Sequence, residues 1–286
     1  MVNRIHIGPL TFDAEDRATW SAMNLQGWKG SPPMRADVAD RPNGDGAFGS
    51  TKNYRSARAL RFEGVLEGAA LAAQQGIEDA FAAIQADGVP FSLSVENDLG
   101  TRSLVAVTLV GEAEVIPDPD FLGATVTARF IAYDPVKYGP EVTYVTGLAS
   151  GGGGLEYPLY DGGAGGALYY GALGNLGRVE LVNSGTADVW PFFEVTGTLD
   201  DGFYLQCLET GQVLRYDRVV PAGTSVSIDS RTGQVLIDGV SDASTYLTSD
   251  AFFAVPAGGS CTVQFNALST SSGTPTLTAT VRAGWW

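Results

Sequence analysis

Residues that could support enzyme chemistry are few in this chain. His6 is the only histidine among 286 residues, and it lies between Ile5 and Ile7 in a predicted strand. A serine or cysteine triad would have to recruit its general base from that strand. The sequence contains neither a G-x-S-x-G elbow nor an HExxH motif. The residues therefore favour a protein that is not an enzyme, and a glycan hydrolase is the enzyme class that stays open.

Acidic residues do not form a recognisable metal or catalytic motif. Asp118 and Asp120 lie in the turn segment PDPDF, where solvated carboxylates are expected. The segment DRPNGDGAFGST, which begins at Asp40, superficially resembles a calcium loop. Its third and twelfth positions are Pro42 and Thr51, so it does not match the ligand pattern of that loop, which needs a bidentate Glu at position 12. The sequence predicts no metal site, although calcium held by another loop geometry stays an alternative.

Cysteines and glycine-rich runs give no cofactor signature either. Cys207 and Cys261 occur without a CxxC motif and without a nearby histidine, which excludes a typical zinc site. Both lie in predicted strands and are interpreted as buried, reduced thiols, with a disulfide as the alternative. The run Gly151–Gly154 lacks the Lys-Ser/Thr of a phosphate loop. The sequence therefore predicts no cofactor.

Aromatic residues in the second half leave a carbohydrate-binding function open. Sugar-binding β-sandwiches use exposed aromatic side chains as stacking platforms, whereas aromatic residues in most sandwiches belong to the core. The residues in question are Tyr157, Tyr160, Tyr169, Tyr170, Trp190, Phe192, Phe193, Tyr246, Phe252 and Phe253.

The overall charge argues against nucleic acid as a ligand. The chain has 17 basic and 32 acidic residues, a net charge of −15, so its surface repels a polyanion. A hydrophobic content of 44% is enough for a packed core. The sequence shows no signal peptide and no apolar run near the roughly 20 residues that a membrane span needs. We therefore expect folding in a cytoplasm, without membrane insertion.

One segment departs from this acidic background. Residues 31–58 contain several prolines and glycines and are predicted to form a long loop, here called the arm. Against three acidic residues, the arm carries five basic ones: Arg35, Arg41, Lys52, Arg55 and Arg58. A net-basic arm on an acidic protein predicts an assembly contact with an acidic neighbour.

The first domain, residues 1–143, is predicted to be an open β-sandwich or barrel with one helix. Apolar residues at three- and four-residue steps predict that helix over about 69–86. Residues 121–139, FLGATVTARFIAYDPVKYG, read as a two-faced strand that Asp134-Pro135 terminates. The buried face of that strand is expected to carry Ala124, Val126, Ala128, Phe130 and Ala132.

The second domain, residues 144–286, is predicted to be a β-sandwich that follows a glycine-rich joint at 147–154. Short apolar runs alternate with turn signals such as Asp238-Gly239, which is the pattern of a sandwich. Eight strands are expected, near residues 179–182, 192–198, 204–208, 213–216, 225–228, 235–237, 261–265 and 277–282.

The ordered combination of these features resembles the distal tail proteins of long-tailed bacteriophages, which are also called minor tail proteins. The resemblance rests on the strands around the predicted helix and on FIAYDPVKYG. It also rests on VWPFFEVTG, ETGQVL, SVSIDSRTGQVLIDG, AFFAVPAGGSCTVQF and TATVRAGWW, which follow in that order. It covers nearly the whole chain.

This resemblance implies a fold and a set of partners. The first domain would be related to tail-tube subunits, and the second would be galectin-like. The chain would form a homohexameric ring at the tail tip that joins the major tail-tube protein to the baseplate hub and the tape-measure protein. Genomic DNA would pass through the lumen without specific binding, and the protein would belong to the virion after assembly in the host cytoplasm.

Two alternatives remain beside the distal tail protein. A carbohydrate-binding module that adsorbs to the host surface is the main one, although the second half lacks the histidine that galectins use for galactosides. The main tail-tube subunit is the other, but it would explain neither the second sandwich nor residues 121–139.

Overall fold

The computed structural model describes residues 2–13, 20–36, 38–49, 51–66, 71–84, 86–118, 123–152, 174–269 and 273–286. The chain divides into two compact units. The first comprises residues 1–140 together with 285–286, and the second comprises residues 141–284. The described residues are mainly β with one α-helix, as predicted, and their strands do not close into a barrel. No helix within the described ranges is long and apolar enough to cross a membrane.

The described residues of the first unit form one helix and a set of strands, most of which lie in a single antiparallel sheet. Its elements are β1 (Val2–Ile7), β2 (Leu10–Asp13), β3 (Trp20–Gln26), β4 (Met34–Arg35), β5 (Val38–Asp40), β6 (Ala47–Gly49), β7 (Tyr54–Arg55), β8 (Arg58–Leu66), α1 (Leu71–Ala83), β9 (Phe91–Asn97), β10 (Gly100–Leu109), β11 (Glu114–Asp118), β12 (Gly123–Ala132) and the start of β13 (Lys137–Gly147).

Strands β8 and β12 form the longest ladder of the first unit. They pair in register from Leu66 opposite Ala124 to Arg58 opposite Ala132. β3 pairs with β8, β10 pairs with β12, and β9, β1 and β2 follow in that order. The predicted inner face of β12 is confirmed, because its five apolar residues are at most 2% exposed. β12 ends at Ala132, so the strand stops just before Asp134-Pro135, as predicted.

Helix α1 covers the core of this sheet. It spans Leu71–Ala83, inside the predicted range 69–86, and residues 67–70 and 85 lie outside the described ranges. Phe81 is 3% exposed, and its ring centroid lies 6.1 Å from that of Phe12. Phe12 in turn packs 4.6 Å from Phe62 on β8. The apolar stripe read from the sequence is therefore the face that packs on the sheet.

The second unit contains two antiparallel sheets. Its strands are β14 (Arg178–Asn183), β15 (Phe192–Thr196), β16 (Phe203–Cys207), β17 (Val213–Tyr216), β18 (Ser225–Asp229), β19 (Gln234–Ile237), β20 (Ser241–Asp242), β21 (Leu247–Asp250), β22 (Gly259–Ala267) and β23 (Thr276–Trp285), whose last residue belongs to the first unit. One sheet has the order β23-β15-β18-β19-β20 and the other β14-β22-β16-β17-β21. All eight predicted strands are present, and β20 and β21 are additional.

A buried asparagine organises one end of this unit. The Asn183 amide donates to the carbonyls of Ala187 and Val255 at 2.8 and 3.2 Å, and its carbonyl oxygen accepts from the N–H groups of Gly185 and Gly284. A Cβ at Gly185 would lie 1.8 Å from the Gly284 carbonyl oxygen. Glycine is therefore required here because two backbone segments approach each other too closely for a side chain.

Candidate assembly surface

The arm is a β-hairpin with two short ladders rather than the predicted long loop. Near its base, β4 pairs with β7, with Arg35 opposite Tyr54. Further out, β5 pairs with β6, with Ala39 opposite Phe48. The prediction of an irregular loop was wrong because ladders of two or three residues are too short to produce a visible alternation.

Large apolar side chains of the arm face solvent. Met34, Val38, Phe48 and Tyr54 are each between 56% and 68% exposed. Between residues 33 and 54, every described residue except Ala47 is exposed, so the arm has no core of its own. Exposed apolar groups clustered on one segment are typical of a surface that binds another protein.

Two of the five predicted assembly cations lie beside these aromatic residues. The Arg41 guanidinium lies 5.4 Å from the centroid of the Phe48 ring, and the Lys52 ammonium lies 5.5 Å from that of Tyr54. Arg35 is likewise exposed, on β4. These three side chains give the outer arm a surface that is both apolar and positively charged, which suits an acidic, partly apolar partner.

The other two predicted cations lie at the base of the arm. Arg55 is half-buried, stacks 4.5 Å from the Trp286 ring centroid, and donates to the Ser31 hydroxyl. Arg58 is 2% exposed. Its guanidinium donates to the carbonyl oxygens of Gly27, Gly30 and Pro135 at 2.8, 3.1 and 3.2 Å. Burial, with a smaller contribution from Arg55, lowers the pKa of Arg58. These two residues hold the base of the arm in place.

A group of cations and tryptophans near this base was not found from the sequence. Lys137 is 6% exposed and donates to the Trp28 carbonyl oxygen at 3.2 Å. The Arg102 guanidinium lies 4.0 Å from the centroid of the Trp285 ring. The residues are far apart along the chain, so no local motif could have indicated them.

The two cysteines are buried thiols, as predicted. Their sulfur atoms lie 2.8 Å apart, and Cys207 Sγ lies 3.4 Å from a Glu209 carboxylate oxygen. Cys207, Glu209 and Cys261 form the group within the described ranges that could offer ligands to a metal ion. Burial, reinforced by the contact with Cys207, raises the pKa of Cys261.

The remaining candidate residues have simple structural positions. His6 Nδ1 lies 2.9 Å from the Thr11 hydroxyl, across the β1–β2 ladder. Among the aromatic residues considered for sugar binding, Phe193 and Phe253 are buried and pack against each other. Trp190, Phe192 and Tyr246 are exposed, at 45%, 42% and 37%, and Phe252 is half-buried. Tyr157, Tyr160, Tyr169 and Tyr170 lie outside the described residues.

Comparison with known proteins supports the predicted resemblance. Residues 184–285 match the family of the siphovirus-type tail component, C-terminal domain. The whole chain superposes on the whole SPP1 Dit protein, described as a paradigm of the hub adsorption apparatus in phages that infect Gram-positive bacteria, with a TM-score of 0.67 and 14% identity. No curated protein matches the chain in sequence.

A second match is to a baseplate. The activated, calcium-bound baseplate of phage P2 contains a chain that aligns over 99% of this protein and 98% of its own length, with a TM-score of 0.53 and 10% identity. Together, the family match over residues 184–285 and the shared fold confirm the resemblance to distal tail proteins.

Proposed function

We propose that this chain, whose second unit carries a siphovirus-type tail component domain, is a distal tail protein that forms a ring between the tail tube and the baseplate hub. The ring is a homohexamer in the virion, assembled in the host cytoplasm. Its neighbours are the major tail-tube protein, the hub protein and the tape-measure protein. The observation that carries the proposal is a full-length match to the fold of SPP1 Dit, with complete coverage of both chains.

The arm is the assembly element of this ring. Its exposed apolar side chains gain stability only if another surface covers them. Arg35, Arg41 and Lys52 then meet a neighbour of the same acidic composition, since each copy carries a net charge of −15. Opposite charges at that contact favour correct docking over random association. We propose domains 1–143 and 144–286 as the ring-forming and docking parts.

The acidic composition suits passage of DNA through the ring. A lumen lined by carboxylates repels the phosphate backbone at short range, so the DNA slides without specific binding. A structure of the ring that placed the carboxylates on the outer wall would contradict this proposal.

Light scattering and negative-stain electron microscopy of the full chain test the ring directly. We expect particles of six subunits with a central hole. Deleting residues 38–49, which removes β5 and β6 but leaves the β4–β7 ladder, should abolish ring or tube assembly and leave the fold of the remaining chain intact.

A matched pair of substitutions gives the sharper form of this test. Phe48→Ser changes a 60% exposed apolar residue on the arm, and Val240→Ser changes an 84% exposed one in the second unit. Only Phe48→Ser should weaken assembly. Equal assembly of the two variants would show that the arm is not the connector.

Carbohydrate binding stays as a second candidate because Trp190, Phe192 and Tyr246 are partly exposed. In that case the protein would bind a glycan array, and Trp190→Ala would reduce the signal. A monomer with glycan affinity would favour this function over the ring.

A further inference from the structure

Several basic residues surround a small cleft in the first unit. The cleft has a volume of about 240 Å³, and its lining includes Lys29, Arg102 and Lys137 together with Trp28 and Asn97. Leu99 and Asp98 complete the lining. Three cations in one cleft are unexpected in a protein with a net charge of −15.

Lys137 is the most unusual of these cations because it is almost fully buried. Its ammonium makes one described hydrogen bond, to the Trp28 carbonyl oxygen, and lies 5.7 Å from the centroid of the Trp28 ring. An ammonium group has three N–H donors, so this environment supplies fewer partners than it can use. A carbonyl and a ring face are also weak compensation for a buried charge.

The charges around Lys137 increase this deficit. Burial, followed by the positive charges of Arg58 and Arg102, lowers the pKa of Lys137 to about 8. A nearby carboxylate raises the pKa of an ammonium group. The charged groups that shift the pKa of Lys137 are Arg58 and Arg102, and the Asp98 carboxylate is not one of them. Arg58 shows a related deficit, since its buried Nη2 has no hydrogen-bond partner among the described residues.

The geometry points to a binding site for a carboxylate, offered by an acidic side chain of a neighbouring protein subunit. The cleft is smaller than the roughly 300 Å³ at which pockets for drug-sized ligands begin, which suits a single side chain. A nucleic acid is a poor ligand for this cleft, because its extended phosphate backbone would be repelled by the acidic surface around it. A single carboxylate side chain would interact mainly with the cations of the cleft itself. Such a carboxylate would supply an anion to Lys137 and Arg102, neither of which has an ion pair among the described residues. This inference does not depend on ring formation.

The full chain labelled with 5-fluorotryptophan tests the site, at a concentration at which light scattering reports a monomer. N-acetylglutamate amide serves as the probe for an acidic side chain, with sodium chloride at equal ionic strength as the blank. We expect a saturable shift of the Trp28 fluorine resonance, because this ring lies beside Lys137. Lys137→Met and Arg102→Met should each lower the affinity for the probe by about tenfold, because each variant loses one charge-assisted hydrogen bond to the carboxylate.

Arg129→Met is the matched control, because Arg129 is an exposed cation of the same unit in a different cleft that also contains Glu112 and Glu114. It should leave the probe affinity unchanged. The inference is overturned if the shift does not saturate, if chloride reproduces it, or if Arg129→Met weakens binding as much as Lys137→Met. Saturation by inorganic phosphate alone would also overturn it and would assign the cleft to phosphate.

Discussion

The basic residues of the first unit fall into two groups with opposite physical environments. Arg41 and Lys52, on the outer arm, are exposed to water and pack loosely over aromatic rings. Arg58 and Lys137 are almost fully buried and bind backbone carbonyl oxygens. The exposed group keeps its charge at the surface of the arm, whereas Arg58 fixes the base from which the arm extends and Lys137 lines the basic cleft. Residue type alone therefore does not identify an assembly residue.

The largest predicted effect is on the free energy of unfolding, which should fall when the buried Arg58 is replaced but not when an exposed cation of the arm is. Arg58→Ala removes the guanidinium that donates to the carbonyl oxygens of Gly27, Gly30 and Pro135, so we expect a loss of roughly 3 kcal/mol in the free energy of unfolding. Urea denaturation measures this loss. Arg35→Ala, on the exposed part of the arm, is the control and should stay within about 0.5 kcal/mol of the unsubstituted protein. A similar loss in both variants would remove the distinction between the two groups.

Replacing Lys137 is expected to stabilise the protein, by less than the loss of Arg58 destabilises it. Its pKa is lowered to about 8 in the folded protein, so the unfolded chain, with a pKa of 10.5, holds the proton more tightly. Below pH 8 both states are charged and folding carries the full cost of burying the ammonium. That cost disappears as the pH rises from 8 to 10.5. Lys137→Met should therefore stabilise the protein at pH 7 by about 1 kcal/mol net of the lost hydrogen bond.

Thermal melts between pH 6 and 11 measure this dependence. The advantage of Lys137→Met should shrink steadily above pH 8. An advantage that stayed constant across this range would show that it comes from packing rather than from the charge.

The smallest effect on stability is expected for the outer arm. Arg41→Ala removes a solvent-exposed contact with Phe48, and such contacts contribute about 0.5–1 kcal/mol at most. Urea denaturation should therefore show little change, while sedimentation should show weaker assembly. If Arg41→Ala lowered the free energy of unfolding but left assembly unchanged, Arg41 would be a structural residue and not an assembly residue.

The regular parts of the fold could be predicted because their signal is local. The alternating apolar residues from Ala124 to Ala132 predict the buried face of β12. Turn residues close in sequence predict the ends of each strand of the second sandwich. Period-two patterns of this kind report burial on one side of a sheet. The extra strand β21, Leu247–Asp250, was missed because it lacks a clear apolar alternation.

The candidate sites could not be predicted to the same degree. The sequence placed five cations in one arm, but nothing local distinguishes Arg58, at the start of a long strand, from Arg41 near the tip. The cleft brings together Trp28, Arg102 and Lys137, which are separated by tens of residues. Only long-range strand pairing puts them side by side, and a single sequence carries no pattern for it.

The return of Trp285 and Trp286 to the first unit sets an order of events during synthesis. Arg102 and Arg55 stack on these two rings, yet a ribosome makes both tryptophans after the entire second unit. N-terminal domains usually fold first during synthesis, but here the base of the arm gains the Trp286 ring, on which Arg55 stacks, only after the second unit has been made.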